Sequence, residues 1–302
     1  MQVDEQVTFR KLEVFLAFLE LGNMNRVAEA VGQSTVSVHR ALHSLEEGLR
    51  CPLFRREGRR LIPLAAAYAF AEHAGRAVRA CVDGIEAARE AAGFTTARLR
   101  IGALYSLTVR TLPRLLMRLK ARRPELDVEL TLGSNRDLLD KLNDDRLDAI
   151  VIAVQADTPV AELIAIPMFD DEICFATPRD SRYADRRTID LQEMRGEKFV
   201  SLSEDFATYR DFVQAFEIAG FRPEIAMRVG DIFSLTNLVS GGVGHALLPR
   251  RVEEFTPQVR FIPLEARYAT SQHIALLLPR KRERNPNLLA LSAECRMFKW
   301  RE

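Results

Sequence analysis

A chain of 302 residues, 47% hydrophobic and 28% charged, has ordinary globular composition and length for two or three domains. Its formal net charge of +1 excludes a uniformly basic protein, so any basic patch must be local. The opening "MQVDEQVTFRKLEVF" lacks a signal peptide's basic start and apolar run, and no stretch has the uncharged length to span a bilayer, so a cytosolic chain without membrane contact is expected.

From Phe9 to Leu21 the apolar residues keep a helical period, and "LGN" supplies a stop. "NRVAEAVG" reads as a short second helix, with Val27, Ala28 and Val31 on one side and Gly32 as the turn. A third helix opens with Ser34 as N-cap and sends Val36, Val38, Leu42, Leu45 and Leu49 toward a core. Three short helices joined by a glycine turn make a helix-turn-helix plan. In "PLFRREGRRLIPL" a glycine between arginine pairs, with apolar flanks, predicts a small hairpin or wing. Residues 64 to 92 are alanine-rich and helical, with an apolar seam suited to pairing with a second copy; Gly75 and Gly84 weaken the helix slightly.

Between residues 33 and 62 there are six arginines and three glutamates, so the basic charge is concentrated in this segment. A recognition helix needs one face for the core and one carrying donors to base edges and phosphates. Gln33, Ser34, Thr35, Ser37, His39 and Arg40 occupy the N-terminal half of the third helix, and Arg40 is the main base or phosphate candidate. Arg55, Arg56, Arg59 and Arg60 suit phosphate or minor-groove contact from the wing. The plainer alternatives are a solvated arginine face with surface ion pairs, a capping role for Ser34 and a solvated His39.

From residue 98 strands alternate with helices: "ARLRIGAL", "DVELTLG", "LDAIVIAV", "EICFATP", "KFVSLS", "EIAMRVG", "HALLPRRV" and "SQHIALLLP" read as strands or strand ends. The pattern predicts an α/β region with a largely parallel sheet, arranged as two similar halves. Several helices begin at polar clusters after strands: Ser106 and Thr108, Ser134 and Asn135, Phe206 to Tyr209, and Asp231 to Ser234. Ligands of α/β sheets bind beyond the carboxyl ends of strands, where free amides and helix dipoles suit a small carboxylate. The candidate effector residues are therefore Ser106, Thr108, Ser134, Asn135, Phe206, Thr208 and Tyr209, with Arg210 as an extra; each hydroxyl also serves as an N-cap candidate, and Arg210 as a surface ion-pair partner.

No GxGxxG, P-loop or GxSxG string is present, and the isolated Cys51, Cys81, Cys174 and Cys295 form no metal-ligand pattern. Neither a metal nor a cofactor is expected, and the cysteines read as buried free thiols. Three rivals stay open: an enzyme acting on a small carboxylate, a two-lobed solute-binding protein, and a redox regulator using Cys174 and Cys295.

The order of these elements, with "VAEAVGQSTVSVHRALHSLEE", "CPLFRREGRRLIPL", "LRIGAL", "LDAIVI" and "GGVGHALLP", resembles the LysR-type transcriptional regulators over nearly the whole chain. The recognition helix departs from them: Thr35 and Val36 follow Ser34 where the family often has Gln-Pro, and His39 stands where Ser is common, so the operator cannot be borrowed. "SVHRALHSLEEG", "IGALYSLT", "LTLGSN", "SEDFATYRDF" and "GFRPEIAMRVGDIFSL" further resemble the LysR-type regulators of malonate utilisation.

The resemblance implies a multidomain fold: a winged helix-turn-helix DNA-binding domain at 1–63, a linker dimerisation helix at 64–95, and an effector domain at 96–302 like the periplasmic binding proteins. Its first subdomain would span about 96–165 and 267–302, its second about 166–266. The family's pocket falls on Ser106, Ser134, Phe206 and Thr208. Implied partners are double-stranded promoter DNA, RNA polymerase and a second copy in a homodimer or homotetramer. The implied activity is activation of malonate catabolism genes in response to malonate, without catalysis. A LysR-type regulator of a different carboxylate or of an aromatic acid is the nearest alternative.

Overall fold

The computed structural model describes residues 3–58, 60–92, 98–155 and 158–297. The chain divides into two compact units, Met1–Phe94 and Thr95–Glu302.

In the first unit Thr8 caps α1 (Phe9–Leu21), and Asn23 caps α2 (Met24–Val31) through the Asn25 and Arg26 amides. Gly32 then reverses the chain at φ 63°, a left-handed conformation that glycine adopts without a Cβ clash. Ser34 caps α3 (Thr35–Leu49) by accepting from the Ser37 amide. Leu12, Phe15, Phe18, Val27, Val38, Leu42 and Leu45 form the core with Phe54 and Ala67. Within it Phe15, Phe18, Phe54 and Phe70 meet edge-on or tilted, an arrangement that adds to plain apolar burial.

Strands β1 (Phe54–Glu57) and β2 (Arg60–Pro63) form the antiparallel wing, with Glu57 opposite Arg60. It leads into α4 (Ala65–Ala91), which leaves Tyr68, Val82 and Ile85 exposed. One expected core residue is not in the core: Val36 is 64% exposed. The helical repeat groups it with 39, 40 and 43, on the face opposite Val38, Leu42 and Leu45.

In the second unit β3 (Arg98–Leu104), β4 (Asp127–Gly133) and β5 (Ala149–Val154) are parallel neighbours in the order β4-β3-β5. Helices α5 (Thr111–Arg122) and α6 (Asn135–Asn143) make the crossovers. Strand β6 (Leu163–Pro178) begins well before the "EICFATP" segment that marks it in the sequence. Pro167 and the acidic run at 170–172 mask its first half; a register shift opposite Ile274 and Ala275 accommodates the proline.

Strand β11 (Ser271–Pro279) lies between β5 and β6 and is antiparallel to both. The far half of β6 pairs with β9 (Ala246–Pro249) and with β10 (Val259–Pro263), a short strand that the sequence pattern did not reveal. Strands β7 (Lys198–Leu202) and β8 (Glu224–Val229) form a parallel pair beside α7 (Ala207–Ala219) and α8 (Ile232–Ser240). Helix α9 (Pro286–Met297) packs on the first lobe. The sheet is therefore mixed, not largely parallel, because the chain passes between lobes along extended strands instead of helical crossovers.

Two cores define the lobes. Leu99, Ile101, Leu115, Ile150, Leu276 and Leu291 fill the first. The second holds Phe175, Phe199, Phe212, Phe216 and Tyr268, with Cys174, Val200, Phe206 and Ile232 beside them. The chain crosses near Asp171 in β6 and returns near Gln272 in β11, and these two residues are register partners. Ile166 belongs to the first core and Tyr268 to the second. No helix among the described residues is long and apolar enough to cross a membrane.

Candidate functional site

The recognition helix separates structural from outward-facing polar groups. Gln33 is half-buried in the turn, its backbone N–H donating to the Ala28 carbonyl at 2.9 Å. Ser34 Oγ accepts from the Ser37 amide and lies 2.9 Å from Ser37 Oγ, so both stabilise the helix start while remaining exposed. Thr35, Val36, His39 and Arg40 line a surface depression of about 710 Å³ with Met24, His43, Ser44 and Glu47. Hydroxyl, methyl, imidazole and guanidinium on one stripe are the kinds of group that can meet base edges, and a valine methyl is of the kind that suits a thymine methyl.

On the wing, Arg55 pairs with Glu57 at 2.8 Å, and Arg56 Nε donates to the Gly58 carbonyl at 3.2 Å. Arg60 is exposed, and Arg59 lies outside the described residues. Glu46, counted in the sequence only as a charge, has a positional role. Its Oε1 accepts from the Leu53 and Phe54 amides at 2.8 and 3.0 Å, tying the wing to α3.

The second candidate site is buried. Ser106, 4% exposed in the turn after β3, accepts a hydrogen bond at 2.8 Å from Arg251 Nε. Arg251 also donates from Nη1 to Asp171 Oδ2 and from Nη2 to Gln272 Oε1, each at 2.7 Å. Gln272 Nε2 in turn donates to Thr208 Oγ1 at 3.1 Å and to Asp211 Oδ2 at 2.6 Å. Ser106 of the first lobe and Thr208 of the second are thus two ends of one relay that passes through both crossover strands. Burial pulls the Arg251 guanidinium below its ordinary value, against the opposing pull of Asp171 and Asp211. Burial also raises the Asp211 carboxyl, outweighing the Gln272 hydrogen bond and the Arg251 charge.

The other expected residues divide into cleft and scaffold. Asn135 bridges the lobes: its Oδ1 accepts from the Ala207 amide at the start of α7, and its Nδ2 donates to the Ala153 carbonyl. Phe206 is buried in the second core, with Tyr105 packed against that core from the first lobe. Ser134 caps α6, Asp231 caps α8, and Thr108 Oγ1 donates back to the Tyr105 carbonyl at 2.7 Å. Tyr209 is not brought to Ser106 and Thr208. It lines a groove between α7 and β8 with Phe212, Phe216 and Arg228, one helical step away from the buried Thr208 face. Arg210 lines a separate cavity of about 210 Å³ with Asn135, Arg136, Glu204 and Asp205.

Arg251, Gln272, Asp171 and Asp211 escaped the sequence reading. The available signals were a Gln on the inward parity of β11, alongside buried Ile274, and an arginine pair directly after the β9 proline.

Cys51 is exposed and Cys81 half-buried, contrary to the expectation that all four thiols are buried. Cys174 and Cys295 are buried, and burial pushes both thiols up to about 12, which keeps them protonated and unreactive at neutral pH. Among the described residues no group of His, Cys, Asp and Glu is arranged to hold a metal ion.

Residues 9–67 match the bacterial regulatory helix-turn-helix protein of the lysR family, and residues 92–298 match the LysR substrate binding domain. The malonate utilization transcriptional regulator of Klebsiella pneumoniae is 48% identical over 298 residues, covering 98% of this chain and 97% of that one. Among solved structures, full-length CbnR in complex with its target DNA has a TM-score of 0.72 at 23% identity, covering 96% of this chain and 99% of that one. A full-length OxyR variant from Pseudomonas aeruginosa gives 0.69 at 19% identity, covering 97% and 96%. These structural likenesses carry the fold, and the sequence matches carry the family: the chain belongs to the LysR family of transcriptional regulators.

Proposed function

We propose that this regulator is a cytoplasmic homo-oligomer without catalytic turnover that binds promoter DNA through paired winged domains and takes malonate, or a closely related small carboxylate, between its two regulatory lobes. Ligand entry shifts the relative placement of subunits, and with it DNA bending and contact with RNA polymerase, so that malonate catabolism genes are activated. Domains at 1–63, 64–95 and 96–302 would divide DNA binding, pairing and effector binding between them. The relative from Klebsiella pneumoniae, named for malonate utilization, supports the choice of ligand. The exposed Tyr68, Val82 and Ile85 of α4 support pairing of the linker helices.

The observation that carries the cleft reading is the relay itself. Ser106 and Thr208 come from different lobes, yet both are held by Arg251 and Gln272 at the point where the lobes join. A small anion needs convergent donors in an enclosed site, and hydroxyls fixed from two sides provide them.

Calorimetric titration with malonate, succinate, acetate and methylmalonate tests this reading. Malonate is expected to bind saturably, and Ser106→Ala to weaken it by about tenfold, the worth of one hydrogen bond to a charged group, with promoter binding retained. No heat from any of the four, with promoter binding intact, removes the malonate assignment. Consumption of malonate by the purified protein overturns the non-catalytic reading.

A further inference from the structure

Arginine offers donors and no acceptor. Ser106 Oγ, 2.8 Å from Arg251 Nε, must therefore accept, and its own hydrogen is directed elsewhere. Gln272 has one accepting and one donating end, and its Oε1 lies 2.7 Å from Arg251 Nη2. That contact fixes which way the amide faces, because the reverse orientation would set N–H groups against the guanidinium and the amide oxygen against the Asp211 carboxyl. The donating end faces Thr208 Oγ1 at 3.1 Å and Asp211 Oδ2 at 2.6 Å. Thr208 therefore accepts as well. Among the described residues neither hydroxyl donates to a protein acceptor.

We propose that Arg251 is a positioning residue that sets the donor polarity of the effector cleft. It forces Ser106 and, through Gln272, Thr208 to accept hydrogen bonds within the protein, so one O–H from each lobe is left to donate to a ligand. A ligand that satisfies both must present an acceptor at each end, as a short dicarboxylate does. A ligand with an ammonium at either end leaves that O–H without an acceptor and is rejected, whereas a primary amide meets it through its oxygen alone, without the carboxylate's charge, and binds more weakly. The inference rests on the reading that Ser106 and Thr208 meet the effector, and its test separates the two.

The full-length protein is titrated by calorimetry with malonate and with malonamate, in which one carboxylate is an amide. Ser106→Ala and Thr208→Val each remove one donor, and Thr208→Ser keeps it. Gln272→Glu keeps the acceptor for Arg251 but replaces the amide donor with a second acceptor, so the Thr208 hydrogen turns inward. The wild type and Thr208→Ser are expected to prefer malonate over malonamate. Thr208→Val and Gln272→Glu are each expected to weaken malonate binding about tenfold.

Gln272→Glu also adds negative charge, which would weaken malonate whatever Thr208 does, so the double variant Gln272→Glu/Thr208→Val decides. If polarity is the cause, it binds within about twofold of the weaker single variant; an additive loss of about a hundredfold overturns the proposal. Where Gln272→Glu does not fold, as judged by thermal melting and promoter binding, Arg251→Lys keeps the charge without the planar fork. It should reduce the preference for malonate over malonamate at least about threefold, and an unchanged preference overturns the proposal. Additive losses leave the effector reading standing, whereas a wild type that binds promoter DNA but no malonate overturns both.

Discussion

In the N-terminal unit the polar groups offered to a ligand stand outside a small aromatic core: Thr35, His39 and Arg40 are all exposed on one helix. In the regulatory unit the corresponding groups are hidden, and Ser106, Thr208, Asp171 and Gln272 are nearly inaccessible and bonded through Arg251. On the proposed reading the difference follows from the size of the two ligands. A duplex brings its own extended surface and needs donors that project, whereas a small anion would be enclosed by groups that the protein itself holds in place.

The contrast can be broken most sharply at Arg251. Replacing it with Met strands the buried Asp171 carboxylate and should cost about 3 kcal/mol or more, read as a lower Tm for the regulatory unit. Glu46→Ala tests the first unit in the same currency. Two amides at the base of the wing lose their acceptor, for a loss of about 2 kcal/mol in thermal stability and weaker promoter binding. Arg40→Ala should do the reverse, leaving Tm unchanged while weakening promoter DNA about tenfold in a binding titration. A fall in Tm there would show that the stripe is part of the core after all.

The smallest effects are in acid, where two buried aspartates run in opposite directions. Burial alone would raise Asp148, but hydrogen bonds from Arg100 and the charge of Arg282 outweigh it and hold the carboxyl below its ordinary value. Its contribution to stability is present above the ordinary carboxylate range and is lost as pH falls through the lowered value. Asp211 is raised by burial, so the folded protein holds its proton more tightly than the unfolded chain. Stability therefore increases as pH falls through the raised value toward the ordinary one. Asp211→Asn should raise Tm slightly at pH 7 and lose that advantage on acidification. Melting curves across pH check this, and an advantage independent of pH would show that the Asp211 charge is not the cause.

The DNA-binding half was legible because its signals are local. Ser34, Gly32 and the arginine-flanked Gly58 each act within a few residues of themselves, and caps and turns are written at that range. Val36 was misassigned because an apolar residue in an amphipathic helix reads as core until the stripe it shares with His39, Arg40 and His43 is drawn. The effector half was legible in its outline and in the hydroxyls of Ser106 and Thr208, but not in the side chains that join them. Ser106 and Arg251 lie 145 positions apart, and nothing local to "PRRV" announces that one arginine will be sealed against a serine of the other lobe. Pro167 hid half of β6 for a related reason: the bulge beside it in β6 forms only against β11, more than a hundred residues away.

That β11 lies between β5 and β6 also orders the birth of the protein on the ribosome. The second lobe takes its strands from residues 173–263, a continuous stretch that can close as soon as it has emerged. The first lobe, although its leading strands are synthesised earlier, must wait with an open edge at β5 until Ser271–Pro279 follows. The older half of the regulatory unit is thus the last to finish, and it needs protection from wrong strand partners throughout that interval.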